Sequence, residues 1–231
     1  MIMNLAQIII LGTTVTVLAG CGGGGDSGVA VSGATTFALQ AGYQARIKIG
    51  AIDNYTVSGT CAGTAATTSD AAITGTFEGV TGLSVPQTVT ANTSCAQGTI
   101  RKTITSYFDA NYGPLGSLTP NGTYEKFLTA PQSLPALVKV GDAAVIVNLT
   151  RYANSTKATI VGHSVISYVI ETDTANTAIV NVISKSYNAA SQLLLTVQDR
   201  YRIAADGALT STTIDMQYST TSTTYLLLTK S

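Results

Sequence analysis

From Tyr43 onward apolar and polar positions alternate with a period of two, the signature of half-buried β-strands. Tyr43, Ala45, Ile47 and Ile49 interleave with Gln44, Arg46 and Lys48. Ile100, Ile104 and Phe108 share one face, while Arg101, Thr103 and Thr105 point the other way. The clearest run lies late in the chain, where Leu193, Leu195, Val197, Tyr201 and Ile203 oppose Thr196, Gln198, Arg200 and Arg202. Turn signals punctuate these runs at Asp53-Asn54, Ser58-Gly59, Gly113-Pro114, Asn121-Gly122, Gly141-Asp142 and Asp206-Gly207. No stretch after the first twenty residues sustains a 3.6-residue stripe behind a capping residue, so long helices are not expected there.

The pattern predicts an all-β fold of antiparallel strands, because the connections between successive runs are short. Strands are expected at about 137–152, 158–171, 177–187, 192–204, 208–219 and 222–229. Before them, Pro131 and Pro135 sit close together in Ala130-Pro131-Gln132-Ser133-Leu134-Pro135 and remove donors that a strand needs. This stretch divides a part spanning 37–130 from a C-terminal β-meander spanning 136–231. The two are readable as two β subdomains or as two halves of one sandwich; a curved meander sheet or half-barrel also fits the second part.

Composition narrows the function more than the fold. Charged residues are 10% of the 231, against roughly a quarter in ordinary soluble domains. Twelve basic and twelve acidic side chains cancel, which leaves no field to draw in nucleic acid. Spaced Val, Ile, Leu and Tyr separate the chain from a disordered Thr/Ser-rich linker, since they can bury enough apolar surface to offset chain entropy.

Candidate chemistry is sparse. The single histidine, His163, shares a strand face with Val161, Val165 and Val169, and no G-x-S-x-G supplies a nucleophile for it. Neither a zinc nor a calcium ligand pattern occurs, nor a phosphate-binding loop, so no metal or cofactor is expected. Arg200 and Arg202 stand on one side of a strand at a spacing that could grip a carboxylate or phosphate; solvated cross-strand ion pairs are the plainer reading. On the opposite face Asp199 interrupts an apolar row and calls for a cationic partner on a neighbouring strand. The eleven tyrosines suit strand packing as well as stacking on sugars or peptides.

The most specific signal is at the start. Ile8 to Leu18 form a short apolar run ending in Leu18-Ala19-Gly20-Cys21, which resembles the lipobox of bacterial lipoproteins. The resemblance implies a signal peptide over 1–20, cleavage before Cys21, and acylation of that cysteine, whose several acyl chains hold a protein stably to a membrane. Residues 21–36 begin Cys21-Gly22-Gly23-Gly24-Gly25-Asp26-Ser27-Gly28 and read as a flexible Gly/Ser-rich tether. Gly22 rather than Asp after the cysteine is similar to lipoproteins released to the outer membrane. In that exported setting Cys61 and Cys95, the cysteines left over, are expected to form a disulfide. The leading functional expectation is a lipid-anchored cell-envelope protein, non-catalytic, that binds an envelope protein or polysaccharide partner or acts structurally. A carrier of lipid or another apolar ligand comes second, with a concave face lined by Leu193, Leu195 and Val197. An enzyme comes third.

Overall fold

The computed structural model describes residues 35–231 apart from 97, 121, 129–132 and 220–223. The lipobox, Cys21 and nearly all of the tether therefore lie outside the described residues. One helix, α1 (Leu39–Ile49), precedes thirteen strands: β1 (Ala51–Gly59), β2 (Gly63–Ser69), β3 (Ile73–Phe77), β4 (Val80–Thr93), β5 (Ile100–Phe108), β6 (Pro114–Leu118), β7 (Tyr124–Phe127), β8 (Ala143–Tyr152), β9 (Ile160–Thr172), β10 (Thr177–Asn188), β11 (Leu193–Ala204), β12 (Leu209–Tyr218) and β13 (Thr224–Lys230).

The strands are antiparallel throughout, and from β4 to β13 each pairs with the next. Two further pairings close the sheet. β1 pairs with β13 in the register Tyr55↔Lys230, and β2 pairs with β4 in the register Gly63↔Thr93. The result is a closed barrel of twelve strands, β3 standing outside the ring. This is more specific than the sandwich or half-barrel the alternation allows. The proline stretch does not separate two sheets: β7 before it and β8 after it pair directly, Tyr124 opposite Tyr152. Both expected parts, 37–130 and 136–231, contribute to one wall.

β3 lies end to end with β2 along one side of β4, since β4 pairs with β3 at Val80–Ser84 and with β2 at Gln87–Thr93. Its last residue, Phe77, folds against the outer wall and stacks on Tyr107 and Tyr124 at centroid distances of 4.6 and 5.2 Å. The wall admits the ring because Gly116 lies beneath it; a Cβ there would come within 2.7 Å of Phe77. Glu78 pins the tip of this hairpin, accepting hydrogen bonds from the Tyr124 hydroxyl and from Lys126 and Lys157.

The first alternating run is not a strand. Residues 39–49 form α1, because Leu39, Gly42, Tyr43, Arg46 and Ile47 recur at helical spacing on one face, with Leu39, Gly42 and Ile47 buried. The helix has no side-chain cap at Ala38 and at eleven residues would be marginal alone. Packing holds it. Gly42 lets the β11–β12 turn approach so closely that a Cβ would sit 1.9 Å from the Gly207 carbonyl oxygen. The Ile47 carbonyl accepts from Ala72 between β2 and β3, and Phe37 bridges to Val138 ahead of β8. α1 thus lies across the barrel end at which β1 begins.

At the other end Cys61, in the β1–β2 turn, is disulfide-bonded to Cys95, in the β4–β5 turn, with Cα atoms 5.5 Å apart. Next to it Tyr55, Val57, Leu195, Val197, Met216, Leu226 and Leu228 fill the interior as one cluster. Inward positions are mainly apolar. Outward positions are rich in Thr, Gln and charge on β5, as in Arg101, Thr103 and Thr105, and on β11, as in Gln198, Arg200 and Arg202, while β9 and β10 also turn Val161, Val165, Val169, Ile179 and Ile183 outward.

Candidate ligand-binding cavity

Eight strands leave an interior just wide enough for side chains to fill, so a twelve-stranded ring needs further filling. α1, Leu134 and Val138 supply part of it. A cavity of about 160 Å³, partly open to solvent, is left under the helix. Its walls are mostly apolar: Leu39 and Ile47 from α1, Val85 and Phe108 from β4 and β5, Ile166 from β9, Val180 and Val182 from β10, and Ile214 from β12. Alternation places each strand residue inward, and the β8 bulge beside Val145 turns Ile146 inward as well.

The polar side of the cavity is a cluster that no single strand would reveal. Arg46 donates to Asp53 through Nη2, and Lys230 donates to the other oxygen of the same carboxylate. Asp53 is only 3% exposed. Burial pushes its carboxyl up, but the hydrogen bonds from Lys230 and Arg46 outweigh that and hold it below the usual carboxylate range. The Arg46 guanidinium lies over the Tyr201 ring, 4.9 Å from its centroid. The Tyr201 hydroxyl donates to Asp199 Oδ2 at 2.5 Å, and Asp199 Oδ1 has no partner among the described residues. Burial pushes the Asp199 carboxyl up to about 6, offset only in part by the Tyr201 hydroxyl and the Arg46 charge. Burial and the neighbouring Asp199 also raise the Tyr201 phenol well above its ordinary value. Tyr43 lines the cavity from α1, its phenol raised by burial.

Arg200 and Arg202 do stand on one outer face of β11, but each is engaged. Arg202 binds Asp173 at 2.7 and 3.2 Å, and Arg200 donates to Gln198 at 2.7 Å and pairs with Glu171 at 3.4 Å. These are the cross-strand ion pairs of the plainer reading. His163 keeps its place on the face of Val161, Val165 and Val169, which is the outer face, and stacks on Tyr187 of β10 at 4.7 Å. Leu195 and Val197 belong to the packed cluster beside the disulfide, so the open apolar face lies elsewhere, on Ile166, Val180 and Val182. Among the described residues no three His, Cys, Asp or Glu side chains group as metal ligands. A second buried polar pair, Glu125 and Arg151, sits inside the wall; Ser117 donates to Glu125 at 2.9 Å, and Arg151 donates to the Tyr187 carbonyl at 3.1 Å.

Asp199 is visible in the sequence as a break in an apolar row, but its cationic neighbour, Arg46, comes from the helix and not from an adjoining strand. Asp53 and Lys230 carried the same signal unused: each is a charge on an otherwise apolar face, Asp53 with Tyr55 and Val57, Lys230 with Leu226 and Leu228. No protein-family model, curated protein or solved structure matches the chain. Fold and site define its class: a closed antiparallel barrel whose lumen is capped by a helix and keeps an apolar cavity with one charged side.

Proposed function

We propose that the barrel is a binding protein for a small, mostly apolar molecule held in the lumen beneath α1, and that Cys21 anchors it to the envelope membrane. The cavity carries this reading. Ligand sites are typically concave and mostly apolar with a few convergent polar groups, and an apolar void of this order can hold a molecule of benzene's size. The Thr- and charge-rich outer faces of β5 and β11 support a barrel standing in water, because lipid-spanning barrels put an apolar band outside. The second expectation, a carrier, thereby moves ahead of a surface-only binding module.

The test is a titration of the full chain, bearing C21S so that no detergent is needed, with 1-hexanol. Binding should shift the methyl NMR signals of Ile47, Ile166 and Val182 and leave those of Ile179 and Ile183, on the outer face of β10, unmoved. Saturation without any lumen shift would overturn the reading. The anchor is tested separately: mass spectrometry of the membrane-extracted wild type should find an acylated Cys21 terminus, and an intact Met1 terminus would refute it.

A further inference from the structure

Donors outnumber acceptors at the polar side of the cavity. Arg46 carries five N–H groups, and its hydrogen bonding to the protein uses Nη2 alone, toward an Asp53 that Lys230 already serves. Two cations thus share one carboxylate, and the remaining Arg46 nitrogens have no protein acceptor among the described residues. Tyr43 stands three residues earlier on α1, on the same helix face, and its hydroxyl also lacks a protein partner there although the side chain lines the cavity. Tyr168, across the lumen on β9, is in the same condition. Against these stands Asp199 Oδ1, a buried acceptor with no hydrogen-bond partner among the described residues.

We propose that the ligand's polar end is an anion, a carboxylate on a short apolar chain, received by Arg46 with the Tyr43 hydroxyl alongside. The inference rests on the lumen-binding reading and names its ligand class. A guanidinium at the edge of the cavity, 23% exposed and already oriented by Asp53 and by the Tyr201 ring, can donate to a carboxylate without reorganising. The apolar chain then lies along Ile166, Val180 and Val182. Asp199 is the group an incoming anion would repel. It faces Arg46 from α1, Asp53 and Tyr55 from β1 and Tyr201 on its own strand, and it answers the anion by taking up a proton, because burial already disfavours its charge.

The experiment titrates the full-length C21S chain with hexanoate, 1-hexanol and 1-hexylamine, which share a chain length and differ at the polar end. Hexanoate should bind about tenfold more tightly than hexylamine, with hexanol between them. R46Q should reduce hexanoate affinity about tenfold and hexanol affinity by a distinctly smaller factor. Hexanoate should also bind more tightly at pH 6 than at pH 8 in the wild type, and D199N should abolish that dependence. If hexanol or hexylamine equals hexanoate in the wild type, or R46Q binds hexanoate as well as the wild type does, the anion inference falls and lumen binding stands. If none of the three reaches the lumen, the lumen reading falls with it. Should R46Q fail to fold, the wild-type series alone decides.

Discussion

The two ends of this barrel close the same wall by opposite means. At the disulfide end Cys61 and Cys95 tie two turns covalently, and Val197, Met216 and Leu228 pack the lumen with almost no exposed surface. At the other end a short helix with no side-chain cap at its start lies across the opening and leaves a void edged by Arg46, Asp53 and Asp199. Buried charge and unfilled space both cost stability; the space is concentrated under α1, while buried charge occurs at both ends, as Asp53 beneath the helix and as Glu125 and Arg151 toward the disulfide. The disulfide end shows that this chain can fill its own interior, so the space at the helix end is a property of that end and not of the ring size alone.

Removing the covalent tie should have the largest effect on this contrast. Replacing both cysteines by alanine should destabilise the barrel by about 3–4 kcal/mol, as expected for a loop of this length, measured by chemical denaturation. Hexanol binding at the far end should persist; its loss would show that the ends are not independent. Overpacking should separate the ends next. V197F, in the filled cluster, should cost about 1–3 kcal/mol, while V182F, facing the cavity, should cost less than about 1 kcal/mol and exclude hexanol. Equal costs would mean that the cavity wall is no looser than the packed end.

Titration sharpens the contrast further. The Asp199 carboxyl stands at about 6 in the folded chain against an ordinary 3.8, so the folded state holds its proton where the unfolded state has lost it. Stability must therefore fall as pH rises from about 4 through about 6, and D199N should remove up to about 2 kcal/mol of that fall. An unchanged pH profile would mean that Asp199 is solvated. The smallest effect belongs to the outer hairpin. Hydrogen bonds from Lys126, Lys157 and Tyr124 hold the Glu78 carboxyl down at about 2, so its contribution is present above the ordinary 4.5 and lost as pH falls toward 2. Because the site is solvent-exposed, E78Q should cost less than about 1 kcal/mol at neutral pH. A larger loss would show that β3 helps hold the wall.

The strands were legible where a single run carried its own evidence. The boundaries of β9 to β13 and the inward face of β11 follow from alternation and turns. α1 was not, because Tyr43, Ala45, Ile47 and Ile49 satisfy a period of two while Leu39, Tyr43 and Ile47 satisfy a period of four, and no capping residue decides between them. Closure was not legible either, since it depends on strands remote in sequence whose local patterns do not name their partners. The polar cluster lay beyond reach for both reasons: it joins the misread helix to β1, β11 and β13. On a strand Arg46 would share the polar face of Gln44 and Lys48; it turns toward the lumen only because its segment coils.

The pairing of β1 with β13 also orders events in time. It joins residues as remote in sequence as Tyr55 and Lys230, whereas most other ladders join neighbours along the chain. Local ladders form early and remote ones late, so a nascent chain can build the meander from β4 to β13 while β1 still lacks its partner. During that interval both lateral edges of the ribbon are unsatisfied and open to pairing with other molecules. The hazard ends when the last strand docks, and with it arrives Lys230, the second cation on Asp53.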